Sequence, residues 1–183
     1  PLNTVRDQID AVVSDIGVDA VKIGMLATPE VVSVVADAIR RHQLTNVVLD
    51  PVMVATSGDR LIVPETAQAL VKELFPLATV ITPNLDEAAL LLGRSIDGIP
   101  ALDAAVADLL ALGAPSALLN PAHLHGDLGI LRAVGVGGED GADQRRRYRR
   151  RDRREAGGGN VRGAMAGAAQ AGGGGQFSSM AAV

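Results

Sequence analysis

The sequence predicts an α/β fold: a doubly wound, mostly parallel sheet with helices on both faces. Three observations carry this. Short apolar runs at residues 20–23, 46–49, 79–82 and 116–119 alternate with longer segments of helical periodicity. The runs are largely apolar rather than cleanly alternating, as in strands buried on both faces of a parallel sheet. The first three also stop at turn-forming corners, Gly24-Met25, Asp50-Pro51 and Thr82-Pro83-Asn84. The crossovers between such strands are right-handed.

The elements follow in order. Residues 3–16 carry Val5, Ile9, Val12 and Ile16 on one helical face, with Gly17 able to take the left-handed closing position. Residues 20–23 are a strand ending at Gly24. Thr28-Pro29 opens a helix, Thr as cap and Pro in the first turn, with Val31, Val34, Val35 and Ala38 inward. Residues 46–49 form the second strand, and residues 51–63 a connection containing Ser57-Gly58-Asp59. A helix over 64–75 turns Ala67, Leu70, Val71 and Leu74 inward. A strand over 79–82 passes into a helix opened by Asn84. After a loop over 93–98 comes a helix over 101–112, closed by Gly113. Residues 116–119 are the next strand.

Composition sets the limits. The 183 residues suffice for one domain with its own core. The chain is 48% hydrophobic but 2% aromatic, so that core is aliphatic. It has no cysteine, which excludes disulfides and thiolate metal sites. No apolar run reaches membrane-spanning length and nothing resembles a signal peptide, so a cytoplasmic protein with no membrane partner is expected. The first residue is Pro1 and helix-like sequence starts at Leu2, which suggests a fragment lacking its beginning.

Charge and glycine divide the chain. Residues 1–125 hold 7 basic and 15 acidic side chains, and residues 126–183 hold 10 basic and 6 acidic. Glycine numbers 6 before residue 126 and 15 from there on. Residues 1–125 therefore read as the α/β core and 126–183 as an Arg/Gly/Ala-rich tail that is not a domain. Residues 128–136 could supply one weak strand or hairpin arm. Residues 144–154 contain eight arginines, and glycine runs stand at 157–159 and 172–175. Such a segment has little to bury against its ordering entropy, so disorder or loose helix is expected.

Chemistry should sit where the first three strands end. In a parallel sheet these ends share one edge, the edge where ligands bind. Asp50 and Glu87 would then be two carboxylates near one helix N-terminus, suited to Mg²⁺ and a nucleotide phosphate. Asn84 with Glu87 three residues on is equally a capping box. Asp50 also reads as an ordinary strand-end turn residue, and Met25 as core filler. Lys22 lies inside a strand, so it is either paired or at an edge.

These residues carry a resemblance. Lys22 to Leu26 (KIGML), Val48 to Ala55 (VLDPVMVA) with Ser57-Gly58-Asp59, and Thr82 to Ala88 (TPNLDEA) are similar to hydroxymethylpyrimidine and phosphomethylpyrimidine kinases of the ribokinase-like superfamily. Order and spacing agree across roughly residues 3–119. The resemblance implies ATP- and Mg²⁺-dependent phosphorylation of hydroxymethylpyrimidine or its monophosphate, in thiamine biosynthesis. It implies Asn84 and Glu87 on Mg²⁺ and phosphate, which favours the metal reading of Glu87 over the capping box; the two coexist if Asn84 caps while Glu87 points outward. It implies Asp50 on the nucleotide–metal side, and Gly24 and Met25 on the pyrimidine pocket. It also implies a homodimer, since superfamily relatives often dimerise.

The sequence departs from that pattern after residue 119. The family reads V-K-G-G-H where this chain has Leu119-Asn120-Pro121-Ala122-His123, so the phosphate-binding lysine is replaced. The family's later G-T-G-C anion hole, with its catalytic last residue, has only Gly172 to Gly175 as a counterpart. Its glycine-rich opening strand and acidic substrate segment have no counterpart here. Little or no kinase activity is expected of this chain alone, and a partial or frame-shifted gene product would explain the tail. Pyridoxal kinase of the same superfamily is the near alternative. A response-regulator receiver fits Asp50 to Met53 but lacks the acidic pair and the late lysine. A nucleic-acid-binding arginine tail is a third alternative, weakened by Tyr148 being its one aromatic.

Overall fold

The computed structural model describes residues 1–55, 57–120, 132–135 and 180–182. Among the described residues five α-helices and six strands follow one another, alternating as far as α4: α1 (Leu2–Asp15), β1 (Ala20–Ile23), α2 (Pro29–Arg41), β2 (Val47–Leu49), α3 (Pro64–Ala69), β3 (Val80–Ile81), α4 (Leu85–Leu92), α5 (Gly98–Ala111), β4 (Ser116–Leu119), β5 (Arg132–Gly135) and β6 (Met180–Ala182). One sheet holds them in the order β5-β4-β3-β2-β1-β6. The four strands β1 to β4 run parallel, β6 joins β1 in parallel, and β5 pairs antiparallel with β4. The α/β class and the parallel order are as the sequence predicts.

Local chemistry explains the helix ends. Thr28 caps α2, its hydroxyl accepting from the Val31 N–H at 3.4 Å, with Pro29 in the first turn. In α1 the closing position falls to Gly17 at φ +77°, a conformation that suits glycine. The helix predicted over 64–75 starts at Pro64 but changes character. After Ala69 it widens into a π turn (Leu70–Leu74) and tightens into a 3₁₀ turn (Phe75–Leu77). Pro76 supplies no N–H to the ladder. Phe75 before it keeps helical backbone at φ −55°, ψ −46°, and the chain leaves the helix at Ala78, which is extended at φ −74°, ψ 139°. Helix α5 begins at Gly98, three residues earlier than predicted, because Pro100 is tolerated within a first turn.

The core is aliphatic apart from Phe75. Ile23, Leu49, Met53, Leu70, Leu74, Phe75, Ile81, Leu102, Leu109 and Leu119 are among its most deeply buried side chains. Burial alternates along the strands. Val21, Ile23, Val47, Leu49, Ile81, Ala117 and Leu119 are buried, while Ala20, Lys22, Val48, Val80, Ser116 and Leu118 are only half-buried. The apolar runs predict strands covered on both faces; one face closes fully and the other in part. Lys22 and Ser116 on the second face carry polar groups that need a partner or water.

The tail differs from expectation where it is described. Residues 132–135, inside the segment allowed as a weak strand, form β5, and residues 180–182 form β6. An entirely irregular tail is therefore corrected at these seven positions, where sheet edges offer backbone partners. The arginine run over 144–154 and the glycine runs lie outside the described residues. Among the described residues, no helix is long and apolar enough to cross a membrane.

Candidate functional site at the carboxyl edge of the sheet

Strand register fixes the site. Ile23 of β1 is level with Leu49 of β2, which is level with Ile81 of β3. The residues just beyond them, Gly24, Asp50 and Thr82, therefore stand side by side on one rim. Backbone bonds extend the ladder into the rim. Asp50 N–H donates to the Ile23 carbonyl at 2.8 Å, and Thr82 N–H donates to the Leu49 carbonyl at 2.9 Å. Asn120 N–H donates to the Pro83 carbonyl at 3.0 Å, and Asn84 and Asn120 form a parallel bridge. Thus Asn120, which replaces the lysine expected from the resemblance, sits beside the start of α4 and is exposed.

Asn84 and Glu87 close a full capping box. The Asn84 side chain accepts from the Glu87 N–H at 2.9 Å, and Glu87 Oε2 accepts from the Asn84 N–H at 2.8 Å. Glu87 Oε1 also accepts from the Met53 N–H, at 3.4 Å. Glu87 is 3% exposed. Its carboxylate faces inward, tying α4 to the segment after β2, which corrects the expectation that it points outward. The geometry is simple: a glutamate that bonds two backbone N–H groups on the protein side cannot also extend into solvent.

That position changes its acidity. Burial raises the Glu87 pKa above the ordinary 4.5, and the Asn84 and Met53 N–H groups offset part of the rise. The charges of Asp50 and Asp86 add to the rise, so Asp50 and Glu87 act on one another across the rim. Asp50 itself is ion-paired: Lys22 Nζ lies 2.9 Å from Asp50 Oδ2, with the two side chains 35% and 31% exposed. The sequence left Lys22 as paired or at an edge; it is paired. Its partner could have been found only by assuming the β1–β2 register.

Gly24 is half-buried at the tip of β1, and Met25 beside it is 48% exposed. Core filler is therefore the wrong reading of Met25; Met53 has that role, fully buried. Residues 53–55 and 57–61 lie back against one another, with Val54 and Arg60 bridged antiparallel and Leu61 N–H donating to the Met53 carbonyl at 2.8 Å. Ser57 and Asp59 bond one another, 2.7 Å apart.

The donor set decides what the rim could hold. Among the described residues, no three His, Asp or Glu side chains gather as a metal nest. Asp50 offers a carboxylate about one-third exposed, with the buried Glu87 carboxyl behind it. This suits a cation that takes one carboxylate and draws its other ligands from water and phosphate oxygens. It does not suit a metal caged by protein alone. The α4 N-terminus adds a partial positive end at the same edge. The predicted counterpart of the anion hole, Gly172 to Gly175, lies outside the described residues.

Known proteins share this architecture. The sequence model of the phosphomethylpyrimidine kinase family matches residues 1–178. The hydroxymethylpyrimidine/phosphomethylpyrimidine kinase of Rhizobium meliloti is 50% identical over 123 residues, 67% of this chain and 46% of its own length. Among solved structures, the phosphomethylpyrimidine kinase of Clostridium difficile has a TM-score of 0.68 at 34% identity, over 75% of this chain and 59% of that one. The ADP complex of Bacillus subtilis pyridoxal kinase has a TM-score of 0.65 at 33% identity, over 92% of this chain and 68% of that one. The relatives define one class by name, that of kinases. Within it, this chain belongs to the phosphomethylpyrimidine kinase family. It spans about half the length of the curated relatives it matches.

Proposed function

We propose that this chain carries the nucleotide–phosphate edge of a kinase that phosphorylates hydroxymethylpyrimidine or its monophosphate, using ATP and Mg²⁺, in thiamine biosynthesis. The observation that carries the reading is the convergence of Gly24, Asp50, Asn84 and Glu87 on one sheet edge, within motifs that resemble the family's. In this reading Asp50 faces the metal–phosphate group. Glu87 and Asn84 fix the start of α4, so that its N-terminus is aimed at phosphate. Gly24 and Met25 border the pyrimidine. Bound Mg²⁺ would neutralise charge developing on the phosphate oxygens. The reaction breaks the bond from the γ-phosphorus to the β–γ bridging oxygen and releases ADP; it forms a phosphoester on the hydroxymethyl oxygen, whose proton is released, or a phosphoanhydride on the existing phosphate when the monophosphate is the acceptor. A cytoplasmic location and a homodimer belong to the same reading; sedimentation tests the dimer.

Phosphoryl transfer depends on positioning and on cations around the equatorial oxygens. With Asn120 where the resemblance expects lysine, the 183-residue chain alone should turn over little or no substrate. A coupled ATP-consumption assay with hydroxymethylpyrimidine tests this, and robust turnover contradicts it. Asn120→Lys should tighten ATP binding several-fold at low salt, measured by calorimetry; no change would remove the rim from the phosphate path. The likeness to Bacillus subtilis pyridoxal kinase supports a second reading, phosphorylation of pyridoxal. Offering both substrates to a full-length relative carrying this rim separates the two.

A further inference from the structure

The proposed activity leaves the Lys22–Asp50 ion pair without a role. Register pairs Lys22 with Val48, and Asp50 stands two residues beyond Val48. Side chains two apart share a face of the sheet, so the lysine stem has only to lean along the strand to meet the carboxylate. It does so at 2.9 Å, with both side chains about one-third exposed and open to ions. The rim therefore brings together two carboxylates, Asp50 and the buried Glu87, and one ammonium.

We propose that Lys22 is a built-in counter-ion for Asp50, standing where a divalent cation would otherwise bind. The proposal rests on the reading that Asp50 faces the metal. A cation approaching Asp50 must displace the ammonium from Oδ2 or share the carboxylate with it. Either route weakens the binding of bare metal. An arriving phosphate gives Lys22 a second anionic partner and releases Asp50 to the cation. Metal and phosphate affinities are then coupled through one side chain, and each ligand strengthens the other by the same factor.

The test is Mn²⁺ titration of the 183-residue chain without nucleotide, with free Mn²⁺ read by electron paramagnetic resonance. Lys22→Met should bind Mn²⁺ at least about ten-fold more tightly than the parent chain, the effect of removing a unit charge roughly 5 Å from a doubly charged ion even at the dielectric of water. Lys22→Arg keeps the charge and should match the parent. Equal or weaker binding in Lys22→Met overturns the counter-ion role. Adding Asp50→Asn to Lys22→Met should abolish the gain. If that double variant keeps the tighter binding, the metal-facing reading of Asp50 fails. If Asp50→Asn alone loses Mn²⁺ but Lys22→Met gains none, only the counter-ion role fails. Circular-dichroism melts establish that each variant folds, and Lys22→Gln replaces Lys22→Met if the latter does not.

Discussion

Glu87 concentrates the physics of the rim in one side chain. Truncation to alanine would unmake the capping box and leave the Met53 and Asn84 N–H groups short of partners. Each loss is worth about 1 kcal/mol or more, so Glu87→Ala should destabilise by about 2–3 kcal/mol in urea denaturation. The pH response follows from the raised pKa. The native state holds the Glu87 proton more tightly than the unfolded chain does. Stability should therefore decline as pH rises from the ordinary carboxylate range through the raised native value, and level off above it. Glu87→Gln removes that decline, so the two stability–pH curves should diverge in this window; parallel curves would contradict the burial argument. Part of this was legible in the sequence. Asn84 followed by Glu87 announced a cap, because a cap depends on four consecutive residues. The Met53 bond and the Lys22–Asp50 pair were not, because they join residues 34 and 28 apart whose meeting depends on strand register.

At the scale of elements, packing dominates. Phe75 begins the 3₁₀ turn that follows the π turn and is fully buried. Phe75→Ala should cost about 3–5 kcal/mol by combined transfer and cavity terms, enough to unfold much of a domain of ordinary stability. Helix α1 is held differently: none of its residues is buried, and Val12 and Ile16 are 40% and 68% exposed. Its predicted apolar stripe exists but meets little cover. Polar contacts tie it to α2, with Asp10 Oδ1 lying 2.6 Å from both Arg41 Nη2 and His42 Nε2. The His42 bond, with help from Arg41, lowers the Asp10 pKa below 3.8. That contribution is present above the ordinary value and is lost as pH falls through the native one. The stability advantage of the parent chain over Asp10→Asn should be full above the ordinary value of 3.8 and shrink as pH falls below it, read from urea melts across that range. Helix and strand order was readable because each apolar run and cap is local. The π turn and strand β6 were not, since each answers to neighbours distant in the chain; the early start of α5 was missed because Pro100 reads as a stop although a first turn tolerates it.

At the scale of the whole molecule, the parallel register of β1, β2 and β3 explains why three separate motifs form one edge. The motifs are 26 and 34 residues apart, Gly24 to Asp50 to Asn84, yet end beside each other. Family membership and the half-length span of the chain have a joint consequence. In the proposed reading this edge meets the phosphates, while Asn120 stands where the resemblance expects lysine, so binding and turnover should separate: nucleotide contact without efficient transfer. The most direct measurement is an NMR titration of the isotope-labelled chain with ADP and Mg²⁺. The account predicts amide shift changes clustered at Gly24, Asp50, Asn84, Glu87 and Asn120. Changes confined to α1 or to the opposite ends of the strands would contradict it.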